Sequence, residues 1–199
     1  MAGAASLIHA LTLFVTVLLL QATFQWGSHS RRTFVREACK VTRYQALCIK
    51  SLARYSRVAK RSATRWAHAG VSAANGNAKS LNRYLHALAM KDSIEGESGV
   101  AISDCVDLFD DALEKLDTSV GVFTNFSRID FQSQMDDLNS WIGAALTDKK
   151  TCWEGLRGKS KIGEEAAVTI VKIRRRVSTA AKMTSNALAL INRLRTTEI

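Results

Sequence analysis

From residue 62 onward the apolar side chains recur at steps of three and four, the spacing that lines one face of an α-helix. Ile102, Cys105, Phe109, Ala112, Leu116, Val120 and Phe123 form the clearest stripe. Phe131, Met135, Leu138, Ile142 and Ala145 form a second, and Ile170, Ile173, Val177, Ala181, Thr184, Leu188, Ile191 and Leu194 a third. A weaker stripe runs between Ser62 and Met90 through Trp66, Ala69, Ala73, Asn77, Leu81, Tyr84 and Leu88. Within it, Asn75-Gly76-Asn77 is costly to a helix and predicts a kink or break. The polar stretch Asp92–Gly99, with a serine suited to N-capping, separates the first two helices. Thr124–Asp130 and the flexible, basic Gly155–Gly163 separate the others. Four helices on short joints predict an all-α, up-down-up-down four-helix bundle.

Composition agrees. The 199-residue chain has no proline and only 11 glycines, which argues against a β fold built on many tight turns. Met1 to Ser30 carries no charged side chain, and Leu7–Leu20 is apolar except for His9, Thr12 and Thr16. That run falls short of the roughly 20 residues of a membrane span but suits a signal-peptide core. Residues 1–30 are therefore expected to be a leader cut between Ala22 and Ser30, and 31–199 a single domain exported from the cell. Its first part, about 31–58, precedes a bundle over about 62–195. Asn125-Phe126-Ser127 is an N-glycosylation sequon in an expected turn.

The net charge of +10 survives removal of the uncharged leader. An exported basic protein is drawn to acidic polysaccharide or anionic lipid surfaces, whereas nucleic acid and stable membrane association fit poorly. Basic side chains concentrate between Thr33 and Arg65, where Glu37 is the one acid, and in Lys172–Arg176.

Four cysteines, Cys39, Cys48, Cys105 and Cys152, read as two disulfides with three connectivities. A bond between 39 and 48 demands a chain reversal near Thr42–Gln45. One uninterrupted helix would hold those Cα atoms about 13.5 Å apart, and a disulfide tolerates no more than about 7 Å. The remaining pair, 105 with 152, would close a long loop worth roughly 4 kcal/mol on the chain-entropy model. The spacings lack the close cysteine pairs of zinc sites, and no metal or cofactor is expected.

Catalytic signals are scarce. His68 and His86 read as helix-surface residues, and Gly158-Lys159-Ser160 lacks the rest of a phosphate loop. No nucleophile–base constellation is visible, so the chain reads as a non-enzyme. What stands out is an acidic stripe, Asp104, Asp107, Asp111 and Glu114, read as adjoining the Ile102–Phe123 seam. Such stripes are often plain solvated helix faces. On a +10 chain, clustered carboxylates also suit docking to a basic partner.

Several blocks, in order, resemble the plant invertase/pectin methylesterase inhibitor family. They are Phe34–Cys48, Ser103–Leu116, Trp141–Gly155 and Ser185–Ile191. The resemblance implies an N-terminal helical hairpin on a four-helix bundle, with bonds Cys39–Cys48 and Cys105–Cys152. It implies a non-catalytic, secreted inhibitor that forms a 1:1 complex and covers the substrate cleft of pectin methylesterase in the cell wall. It also implies partner contacts at Asp107, Asp111, Glu114, Asn139, Thr151 and Glu154. Invertase-directed members present a Pro-Lys-Phe segment, and this chain has no proline. Acid invertase, in the wall or the vacuole, is the alternative target, and pectin binding through the basic surface a second alternative. Gln45 stands where the family often has proline, and Trp153 adds bulk beside the implied contacts.

Overall fold

The computed structural model describes residues 32–90, 96–158 and 164–197 together with Phe14 and Thr16. The expected cleavage points, Ala22 to Ser30, lie outside the described residues. Helix α1 covers 32–39 and, after a turn over 40–44, α2 covers Gln45–Leu52. A 3-10 turn (Ala53–Tyr55) and the short α3 (Ser56–Ala59) lead to α4 (Ala63–Ala89). Then come α5 (Gly96–Val122), α6 (Phe131–Gly155) and α7 (Glu164–Thr197).

The reversal falls where the Cys39–Cys48 bond requires it, with Cα atoms 5.8 Å apart. Buried Thr42 donates its Oγ1–H to the Cys39 carbonyl at 2.7 Å. The turn is also held from afar. Tyr44 donates its N–H to Asn186 Oδ1 at 3.1 Å, and Asn186 Nδ2 donates back to the Tyr44 carbonyl at 3.0 Å. Gln45 Nε2 closes the turn on the Lys40 carbonyl at 3.2 Å. Val35, Ala38 and Leu52 bury themselves with both cysteines against Trp66, Ala69, Ala73 and Leu190, so the hairpin has a small core of its own on α4 and α7.

Ser62 caps α4 by accepting from the Arg65 N–H at 3.3 Å. Beyond it the helix passes through Asn75-Gly76-Asn77 without the expected break. Asn75 is buried and its Nδ2 donates to Asp117 Oδ1 at 2.7 Å. Gly76 faces open space. The flanks therefore carry the helix across a glycine whose cost is about 1 kcal/mol.

The four long helices pack in the ring order α4–α5–α6–α7, each on two neighbours. Phe109, Leu116, Met135, Leu138, Ile142, Ile170, Ile173, Val177 and Ile191 fill the main core with Val71, Leu81 and Leu85 of α4. Gly70 lets α4 approach α7: a Cβ there would sit 2.8 Å from Leu190 Cδ1 and 3.3 Å from Ala187 Cα. Between α5 and α6 the Cys105–Cys152 bond sets the spacing, with Cα atoms 4.8 Å apart.

Candidate partner-binding face

Helix α5 sorts its carboxylates by direction. Asp110 accepts from Asn82 Nδ2 at 2.6 Å and lies 3.2 Å from His86 Nε2. One stretch further on, Asp117 accepts from Asn75 at 2.7 Å and from Lys79 Nζ at 2.6 Å. Burial pushes the Asp117 pKa up, but the hydrogen bonds from Lys79 and Asn75 outweigh it and hold the carboxyl below its ordinary value. Both aspartates thus bind α5 to α4. On the opposite flank Lys115 reaches α6, 3.1 Å from Asp148 Oδ2.

Asp104, Asp107, Asp111 and Glu114 lie between those flanks and are all exposed. At 100° per residue they point away from Phe109 and Ala112, so the stripe faces outward rather than adjoining the apolar seam. Their side chains make no hydrogen bond or ion pair among the described residues. The Cys105–Cys152 bond sets their α6 neighbours. It brings the turn holding Thr151 and Glu154 level with Asp104 and Asp107. Thr151 is exposed and donates its Oγ1–H to the Thr147 carbonyl at 3.1 Å, and exposed Glu154 pairs with Arg157 at 2.9 Å.

Asn139 does not join this group. It sits roughly 22 Å along α6 from Glu154, half-buried, with Nδ2 donating to the Met135 carbonyl at 2.8 Å. Its register follows Trp153, which packs beneath Arg174 of α7. Of the six implied contacts, the structure brings Asp107, Thr151 and Glu154 beside the Cys105–Cys152 bond, with Asp111 about 9 Å along α5 from Cys105. Glu114 extends the row, and Asn139 stands on the side turned to α7.

Two features escaped the sequence reading. Lys149 is fully buried beneath this face, its Nζ donating to the Ala145 carbonyl at 3.2 Å and lying 5.7 Å from the Phe109 ring centroid. Burial lowers its pKa to about 7; Asp148 opposes the shift and Lys115 adds to it. The signal was present, since Ala145, Lys149 and Cys152 continue the Met135–Ile142 stripe at helical spacing. His68, expected on the surface, is half-buried and stacked 5.0 Å from the Phe123 ring, and burial lowers its pKa. Phe126, in the middle of the sequon, continues that stack between Phe123 and Phe131 while Asn125 stays exposed. Among the described residues no acid, histidine or cysteine cluster is arranged to hold a metal ion, and no helix is long and apolar enough to cross a membrane.

Comparison with known proteins gives the family. The family described as plant invertase/pectin methylesterase inhibitor matches residues 33–190, and the chain belongs to it. It is 38% identical over 163 residues to pectinesterase inhibitor 6 of Arabidopsis thaliana, covering 81% of this chain and 76% of that protein. It is 28% identical over 162 residues to the 21 kDa protein of Daucus carota, covering 80% and 82% of the two chains. Among solved structures the fold is similar to mutant form A of a pectin methylesterase inhibitor from Arabidopsis, with a TM-score of 0.60 at 17% identity. That match covers 77% of this chain and 92% of the other. The chain stands among inhibitors, not enzymes.

Proposed function

We propose that this protein inhibits pectin methylesterase by laying the outward face of α5, with the adjoining turn of α6, over the enzyme's substrate cleft in a 1:1 complex. One observation carries the reading. In a chain of net charge +10, the carboxylates of α5 that face α4 are paired, while Asp104, Asp107, Asp111 and Glu114 have no partner among the described residues. Crowded like charges repel, so a row left unpaired is relieved by a cationic partner. The face is also rigid, because the Cys105–Cys152 bond and the Lys115–Asp148 pair fix α5 against α6. A pre-ordered face loses little conformational freedom on docking. The printed name of the Arabidopsis relative, pectinesterase inhibitor 6, points to the same target class.

In this reading Asp107, Asp111, Glu114, Thr151 and Glu154 contact the esterase, and Asn139 lies at the margin. The leader directs the chain to the cell wall, and exposed Asn125 takes a glycan on the turn away from the docking face. Titrating the oxidised, secreted protein into a plant pectin methylesterase while following methanol release tests the proposal, with an acid invertase run in parallel. Stoichiometric loss of esterase activity is expected. Loss of invertase activity alone would transfer the reading to the other target of the family.

A further inference from the structure

Across the ring from the acidic face, the α4–α7 edge carries the opposite charge. Helix α7 presents Lys172, Arg175 and Arg176 within one turn, Lys172 and Arg176 about 6 Å apart along its axis and Arg175 beside Arg176. Tyr84 of α4 holds two of them: Arg176 lies 4.3 Å and Lys172 5.4 Å from its ring centroid. Such contacts restrain long cationic side chains and lower the entropy lost when they bind an anion. Beside them is a shallow cleft of about 210 Å³ lined by Asn77, Ser80, Leu81, Arg175, Arg176 and Thr179. Among the described residues the six named interhelical and local ion pairs of the molecule use none of these three cations.

We propose that this edge binds de-esterified pectin, a linear polyuronate. A polymer with a carboxylate on each sugar can set successive carboxylates against Lys172 and Arg176, one turn apart, with Arg175 beside them. Its hydroxyls can enter the cleft beside Arg175 and Arg176, where Ser80 and Thr179 line the wall. A smooth charged surface such as a lipid layer would meet the three cations but leave the cleft unfilled. The choice of polymer rests on the esterase reading: removing methyl groups from pectin creates this anion. The inhibitor would then be retained where the esterase has already acted, with its acidic face still turned outward.

The test is retention of the full secreted chain on immobilised polygalacturonate and, in parallel, on highly methyl-esterified pectin. Retention on polygalacturonate at least about tenfold stronger, and falling steeply with salt, is expected. Replacing Lys172, Arg175 and Arg176 together by Gln should weaken it about tenfold or more. Removing the same charge from the hairpin, by Lys50→Gln, Arg54→Gln and Arg57→Gln, should change it much less. Arg175→Glu, at an exposed position, tests the site without disturbing the Tyr84 contacts. Equal losses from the two triple variants, or equal retention on esterified pectin, would overturn the proposal. Esterase inhibition is measured on the same samples. Inhibition without retention sinks this site alone, and retention without inhibition sinks the esterase reading alone.

Discussion

The two helix pairs that close the bundle are built by opposite means. Helices α4 and α7 meet through small residues, with Gly70 against Ala187 and Leu190, and need no covalent link. Helices α5 and α6 carry larger and less compatible cargo, Phe109 and the buried Lys149, and a disulfide joins them. Their outer surfaces differ in the same sense. On α4–α7, cations sit over the Tyr84 ring, whereas on α5 the outward carboxylates have no partner among the described residues. Close packing alone suffices where the interior is apolar and small. Where a lysine is buried and like charges crowd the surface, a crosslink offsets the cost.

Removing that crosslink should have the largest effect. Cys105→Ala with Cys152→Ala frees a loop with a sequence separation of 47 and should cost about 4 kcal/mol in urea unfolding. Opening Cys39–Cys48, with a separation of 9, should cost closer to 3 kcal/mol. Equal losses would mean that the α5–α6 pair needs its bond no more than the hairpin does.

Lys149→Met sharpens the contrast from the other direction. Its folded pKa is about 7 against an ordinary 10.5. Between these values the unfolded chain holds a proton that the folded chain has lost, so stability rises with pH through this window. Below about pH 7 both states are protonated and the burial cost is present in full. The substitution should therefore stabilise the protein by about 3 kcal/mol at pH 6, with the gain shrinking toward pH 10. A gain that does not change with pH would show that Lys149 keeps its proton in the fold.

Asp111→Asn with Glu114→Gln should weaken esterase inhibition by about 2 kcal/mol and leave the melting temperature almost unchanged, since neither side chain has a partner among the described residues. Full potency in this variant would remove α5 from the interface. The smallest effects separate two glycines of α4. Gly76→Ala, facing open space, should stabilise by about 1 kcal/mol. Gly70→Ala should destabilise by about 1 kcal/mol, because the crowding against Leu190 and Ala187 outweighs the same helical gain.

Much of this architecture was legible before any coordinates. The periodicity of Ile102–Phe123, Phe131–Ala145 and Ile170–Leu194 locates three of the long helices, though α6 runs on to Gly155, because burial of one stripe is a local, repeating demand. The candidate face was only partly legible. Spacing marks Asp104, Asp107, Asp111 and Glu114 as a row, yet it does not separate them from Asp110 and Asp117, which lie nearby on the same helix. Only the approach of Asn75, Lys79, Asn82 and His86 from α4 turns those two into internal ties. The resemblance groups Asn139 with Thr151 and Glu154, yet it lies roughly 22 Å from Glu154 along α6.

The sequence alone determined that the chain would be helical, that four long helices would alternate with short connectors, and that its net charge would be +10. All three follow from residue type and short-range order. Only the tertiary structure decided which charges are consumed inside the bundle and which are left for partners. It also decided that Asn75-Gly76-Asn77 would remain helical and that Lys149 would be buried. Those outcomes depend on what a neighbouring helix brings within hydrogen-bonding distance, and that is a property of the packed ring.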